Sequence, residues 1–149
     1  MMVLYDKLYR SENFREMSLN RYLTPLINEM IAVYPKSNEI TLQIKIDEIV
    51  LPVKILTNIG IIINELLSNS MKHAFNTIER GQLSIIAKQK DNLLMLCIQD
   101  NGPGFPENFD LENPENFGLQ LVKILIQQMR GSYKINTQKG TEFCFEIKT

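Results

Sequence analysis

The chain has 149 residues, 44% hydrophobic and 22% charged, with a formal net charge of −1. That length suits one domain with its own core, and the near-neutral charge excludes an electrostatic footprint for nucleic acid. No apolar run reaches the ~18 residues of a membrane span, no basic run addresses a lipid surface, and Met1–Asp6 lacks the layout of a signal peptide. The expectation is a cytoplasmic domain without membrane contact of its own, whether or not its parent protein is anchored. The single histidine, His73, excludes a multi-histidine metal site. Cys97 and Cys144 lie far apart in apolar runs, which reads as two buried free thiols in a reducing compartment.

Residues 1–17 are polar with scattered apolar positions (Leu4, Tyr5, Leu8, Tyr9) and read as a helix tail followed by a connector. The folded domain then occupies 18–149. Ser18 is a candidate N-cap, and Tyr22, Leu23, Leu26, Ile27, Met30 and Ile31 recur at helical spacing until Pro35. Residues 39–46 alternate strictly, as a half-buried strand does. The longest helix runs from about Val53 to Phe75, with Leu56, Ile59, Ile63, Leu66 and Ser70 on its inward face.

Gly81 opens a strand through Leu83–Lys88, and Asp91-Asn92 turns into a second one, Leu93–Gln99. The second is apolar almost throughout and predicts a central strand covered on both faces. A loop rich in Gly, Pro, Asn, Asp and Glu follows over 100–116. A helix from about Phe117 to Met129 ends at Gly131, read as its C′ residue. Two strands, near 132–137 and 141–148, close the chain around a turn at Gln138-Lys139-Gly140. This order implies an α/β fold: a two-layer α/β sandwich, with a mixed sheet and helices packed on one face. Pattern alone leaves the strand pairing open.

Chemistry-bearing residues fall in three groups. The first is Asn64-Glu65-Leu66-Leu67-Ser68-Asn69-Ser70-Met71-Lys72-His73-Ala74-Phe75. At about 100° per residue, Glu65, Asn69 and Lys72 share a narrow stripe with Asn58, and His73 lies on its edge. A solvated helix edge would look the same. The second is Asp100-Asn101-Gly102-Pro103-Gly104-Phe105 after the apolar strand: a carboxylate able to accept from an exocyclic amine, then glycines that admit a ligand close to the backbone. A plain turn would also be written this way. The third, Asn116-Phe117-Gly118-Leu119-Gln120-Leu121-Val122, puts a glycine and free amides at a helix start, where anions bind.

In this order the groups resemble the N box and the two glycine boxes of the GHKL (Bergerat-fold) ATPase superfamily, with Gly140-Thr141 matching its closing adenine contact. The form Asn-Glu-x-x-x-Asn-x-x-Lys-His-Ala-Phe resembles the catalytic ATP-binding domains of sensor histidine kinases of the HWE and related subfamilies. Leu4-Tyr5-Asp6-Lys7-Leu8-Tyr9-Arg10-Ser11 is similar to the tail of their dimerisation helices. The resemblance covers nearly the whole chain and implies ATP and Mg2+ as cofactors. It makes Asn69 the magnesium ligand and Glu65 the group that orients or deprotonates the attacking group. Lys72 would neutralise phosphate charge, and His73 would sit near ribose or phosphates. Asp100 would read the adenine amine with Thr141, Gly102 and Gly104 would pass close to the base, and Gly118 and Leu119 would offer amides to the phosphates.

The implied function is transfer of the ATP γ-phosphoryl group to a histidine on an upstream dimerisation and phosphoacceptor domain, with a response regulator as the later partner. Two departures stand out. Asn116 replaces a glycine common in the second box, and 105–117 is short, which implies a compact ATP lid over 105–116. No histidine precedes His73, so the chain reads as a phosphoryl donor lacking its acceptor, inactive in autophosphorylation by itself. Two other readings share the fold: a stand-alone anti-sigma-type serine kinase, and a nucleotide-binding switch without transfer activity.

Overall fold

Alternating strands and helices with an apolar stripe each bury one face, and here they bury it against one another. The computed structural model describes residues 16–35, 39–74, 80–102, 117–137 and 140–149, with residues 73 and 74 as backbone only. The expected helix tail at 1–15, the lid at 105–116, Gly104 and the turn residues 138–139 lie outside the described residues.

Ser18 caps α1 (Leu19–Ala32), its hydroxyl accepting from the Arg21 N–H at 3.4 Å. Leu19, Tyr22, Leu23, Leu26, Ile27 and Ile31 form the buried stripe of this helix. β2 (Ile40–Ile46) alternates half-buried and exposed as its sequence does. Two short strands escape the sequence reading: β1 (Glu16–Ser18) pairs antiparallel with β3 (Val50–Pro52) in a ribbon apart from the main sheet. Three residues are too few to show a period.

α2 (Val53–Asn69) is followed by a π-helical turn, Ser70–Ala74, where the sequence implied an unbroken α-helix. Then come β4 (Gly81–Lys90), β5 (Leu93–Asp100), α3 (Phe117–Gln128), β6 (Ser132–Asn136) and β7 (Thr141–Lys148). The main sheet has the order β2-β4-β5-β7-β6, with β2 and β4 parallel and the other pairs antiparallel. The parallel pair is the one whose connection runs through α2, which a hairpin could not provide. The expected mixed sheet with helices on one face is what forms.

The core lies between that face and the helices, where Leu56, Ile59, Ile63, Ile85, Leu96 and Phe145 are completely buried. Each such side chain contributes about 1.5–3 kcal/mol of transfer free energy. β5 departs from expectation here. Leu94, Leu96 and Ile98 are buried, but Leu93 and Met95 on the other face are 38% and 39% exposed. The strand is central in order, yet no helix among the described residues covers its second face, so its apolar run did not mean two-sided burial.

The cysteines also differ from expectation. Cys97 and Cys144 are register partners on β5 and β7, with Cα atoms 4.1 Å apart, and they form a disulfide across the open face. Their sequence separation of 47 hid a pairing that only the strand order creates. The end of α3 is corrected as well. Arg130, not Gly131, takes the left-handed conformation (φ 56°), and the N–H groups of Arg130 and Gly131 donate to the Gln127 and Ile126 carbonyls. That is a Schellman closure with Arg130 at C′. Glycine is needed one residue later because a side chain there would run into the Glu146 carbonyl and Ile147.

Candidate functional site

β5 delivers Asp100 to the edge of the core, where its side chain is only 4% exposed. A buried carboxylate is costly unless donors surround it. Here donors come from three directions. Oδ1 accepts the Gly102 N–H at 3.0 Å and the Thr141 N–H at 3.2 Å, and Oδ2 accepts the Ser70 hydroxyl at 2.9 Å. Asp100 and Thr141 are register partners across the β5–β7 ladder, which is why a residue so distant in sequence reaches the carboxylate. Gly140, at φ 83°, turns the chain into β7, and a Cβ there would collide with the Asp100 carbonyl oxygen. Only glycine permits that approach.

Asn101 faces the other way. Its side chain accepts the Gln82 N–H at 2.8 Å and donates to the Arg80 carbonyl at 3.2 Å, while its own N–H donates to the Gln82 carbonyl at 3.2 Å. It ties the end of β5 to the start of β4.

A second contact joins the other two motifs. α2 packs between α1 and α3. A Cβ on Gly118, the second residue of α3, would lie 2.5 Å from Glu65 Oε2. The missing side chain lets the Glu65 carboxylate rest against the first turn of α3, where the helix dipole favours negative charge. Asn69 is half-buried one turn beyond Glu65, next to Ser70, so α2 connects the Asp100 cluster with the Glu65–Gly118 contact.

The structure therefore brings Asp100, Gly102 and Thr141 together, and Glu65 with Gly118. Leu119 is buried at 4% exposure, so only its backbone could meet a ligand. Lys72 is exposed and belongs to the π-helical turn, where the α-helical wheel no longer gives its direction. The His73 side chain and Gly104 lie outside the described residues. Ser70 and Asn101 are the residues the sequence reading missed as hydrogen-bonding partners. Ser70 falls on the inward face beside Leu66 and Met71, where a buried hydroxyl needs a partner, but the sequence does not say that the partner is Asp100.

Residues 54–149 match the model of the histidine kinase-, DNA gyrase B- and HSP90-like ATPases. The chain belongs to this family. It is 28% identical over 103 residues to blue-light-activated histidine kinase 2 of Erythrobacter litoralis, covering 68% of this chain and 30% of that protein. It is 30% identical over 95 residues to the sensor histidine kinase PdtaS of Mycobacterium tuberculosis, covering 61% of this chain and 19% of that protein. The chain thus spans less than a third of either relative. In fold, this ATPase-family domain resembles a solved blue-light-activated histidine kinase of Erythrobacter litoralis with a TM-score of 0.86 at 23% identity, over 98% of this chain and 45% of that one. None of the helices among the described residues is long and apolar enough to cross a membrane.

Proposed function

We propose that this domain is the catalytic ATP-binding part of a sensor histidine kinase of the HWE or a related subfamily. It holds ATP with magnesium and presents the γ-phosphoryl group to a histidine on a dimerisation domain, from which a response regulator takes it. Residues 1–17 would form the tail of that dimerisation helix and the connector to the domain at 18–149. The observation that carries the reading is the buried Asp100 carboxylate, held by donors from three separate segments and facing a glycine. A structural turn has no need of a buried charge.

Each residue then has a task that its chemistry allows. Asp100 accepts from the exocyclic amine of adenine, with Thr141 beside it and the backbone at Gly102 and Gly104 close to the base. The amides of Gly118 and Leu119 meet phosphate oxygens at the start of α3. Lys72 offers a mobile cation for phosphate charge, and His73 is assigned to the ribose or phosphates. Glu65 orients or takes the proton from the attacking group.

The fit to a metal rests on donor chemistry. Among the described residues no group of three or more His, Cys, Asp or Glu could cage an ion by itself. Asn69 offers a hard amide oxygen one turn from Glu65, which suits magnesium held mainly by phosphates and water. Bound magnesium would supply charge neutralisation along the phosphate chain. The domain's own part is positioning, which is most of what phosphoryl transfer requires.

Titration calorimetry with Mg-ADP against Mg-GDP tests the pocket, and radiolabelled ATP with a histidine-bearing dimerisation domain in trans tests the transfer. Adenine-selective heat and acid-labile label on the added domain are expected, with none on this chain alone. Absence of binding, or equal affinity for guanine, would refute the pocket assignment. Acid-stable label on a protein serine would replace the reading with a serine kinase.

A further inference from the structure

Ser70 and Asp100 are the buried polar residues of the described chain, at 6% and 4% exposure, and they bond to each other. Ser70 opens the π-helical turn that follows α2, directly after Asn69, whereas Asp100 ends β5. An ionised carboxylate only accepts and has about four lone-pair positions. Both positions on Oδ1 are taken, by the Gly102 and Thr141 N–H groups, and Ser70 takes one on Oδ2. Among the described residues, one acceptor position is left.

We infer that Ser70 is a positioning residue for base recognition: its hydroxyl fixes the plane of the Asp100 carboxylate and leaves a single acceptor position on Oδ2 for an exocyclic amine. This rests on the assignment of Asp100 as the adenine-reading group. The two Oδ1 donors are backbone groups set by the turn after β5 and by the β5–β7 register, so they hold one oxygen but do not by themselves fix the other. Ser70 is the side-chain donor on the reading oxygen. Because the carboxylate cannot donate, the hydroxyl must, and its proton then lies between the two side chains rather than in the pocket. The arrangement selects ligands that bring a donor of their own. An aminopurine does; a purine with hydrogen or oxygen in the same place does not.

The role also ties the two ends of the nucleotide together. Asn69 and Ser70 are neighbours in sequence, so the residue assigned to the metal and phosphates and the residue that sets the base reader move as one piece of backbone. A shift of the turn after α2 would reach both.

The test compares ADP with purine riboside diphosphate, which lacks the 6-amine, for the wild-type chain and for Ser70→Ala, with thermal melting as a control for folding. A merely structural role would weaken both nucleotides alike. Positioning predicts that the preference for ADP falls about tenfold, the scale of one hydrogen bond to a charged group, while affinity for the purine analogue stays unchanged. If Ser70→Ala fails to fold, Ser70→Cys, similar in shape but a weak donor, must show the same selective loss. An unchanged preference, or an equal loss for both ligands, overturns the inference. Asp100→Asn separates the two layers. If it also leaves the preference intact, the assignment of Asp100 has failed; if it abolishes the preference while Ser70→Ala does not, only the role of Ser70 has failed.

Discussion

β5 is bounded by the same dipeptide at both ends, and the two copies have opposite fates. Asp91-Asn92 forms the hairpin from β4, with both residues exposed and left-handed at φ 52° and 64°. Asp100-Asn101 ends the strand with the acid buried under three donors and the amide bonded back to β4. Nothing in the dipeptide decides between them. The difference comes from what arrives from elsewhere: β7 with Thr141, and the turn after α2 with Ser70. At one end the residues serve the chain's own geometry. At the other they are held by groups that no local need explains, and such a surplus of donors marks a site.

The largest expected effect falls midway between these ends. The disulfide links β5 to β7 at a sequence separation of 47, and closing such a loop is worth about 2–4 kcal/mol against the unfolded chain. Reduction, or Cys97→Ala with Cys144→Ala, should lower the melting temperature markedly while far-ultraviolet dichroism stays native below it. Unchanged melting would mean the β5–β7 register, on which the Asp100 end depends, stands without the clamp.

Next is Gly118→Ala. Its Cβ would displace the Glu65 carboxylate, the end of a flexible side chain, so folding should lose under about 1 kcal/mol while phosphoryl transfer drops about tenfold or more through misplacement. Transfer at the wild-type rate would remove Glu65 and Gly118 from the account.

The amides sharpen the comparison directly. Asn101→Gly forfeits two side-chain hydrogen bonds and should cost about 1–2 kcal/mol. Asn92→Gly, at a left-handed position of a two-residue hairpin, should instead stabilise by a few tenths of a kcal/mol or about 0.5. Denaturant melts of both variants check the opposite signs.

Tyr22 supplies the contrasting case of a buried polar atom without donors. Its hydroxyl is buried and has no partner among the described residues, and burial pushes its phenol well above the usual range. The folded chain then keeps a proton that the unfolded chain gives up above about pH 10, so stability should fall as pH rises past that point. Tyr22→Phe should gain about 1 kcal/mol at neutral pH and lose that alkaline slope. An identical slope in the variant would place the titration elsewhere.

Much of this architecture was legible in the sequence because periodicity is a local property. Ile40–Ile46 alternates, α2 carries its stripe, and Ser18 stands where a cap is required. What escaped was either too short to have a period, as in β1 and β3, or created by register. The Cys97–Cys144 bond exists only because β7 lies beside β5, and the same register brings Thr141 to Asp100, a pairing the family resemblance supplied and local pattern did not. Ser70 was misread because small residues inside a helix give no sign of what their hydroxyl meets. The π-helical turn carries no compositional mark, and within it the α-helical wheel no longer gives the direction of Lys72.

The central claim is that the Asp100 end of β5, and not the Asp91 end, reads the base. Calorimetric titration of Mg-ADP into Asp100→Asn and Asp91→Asn, side by side with wild type, tests it most directly. The account predicts at least about a tenfold loss for Asp100→Asn, the scale of one charge-assisted hydrogen bond, and wild-type affinity for Asp91→Asn. Wild-type affinity in Asp100→Asn, or equal losses in both variants, would contradict it.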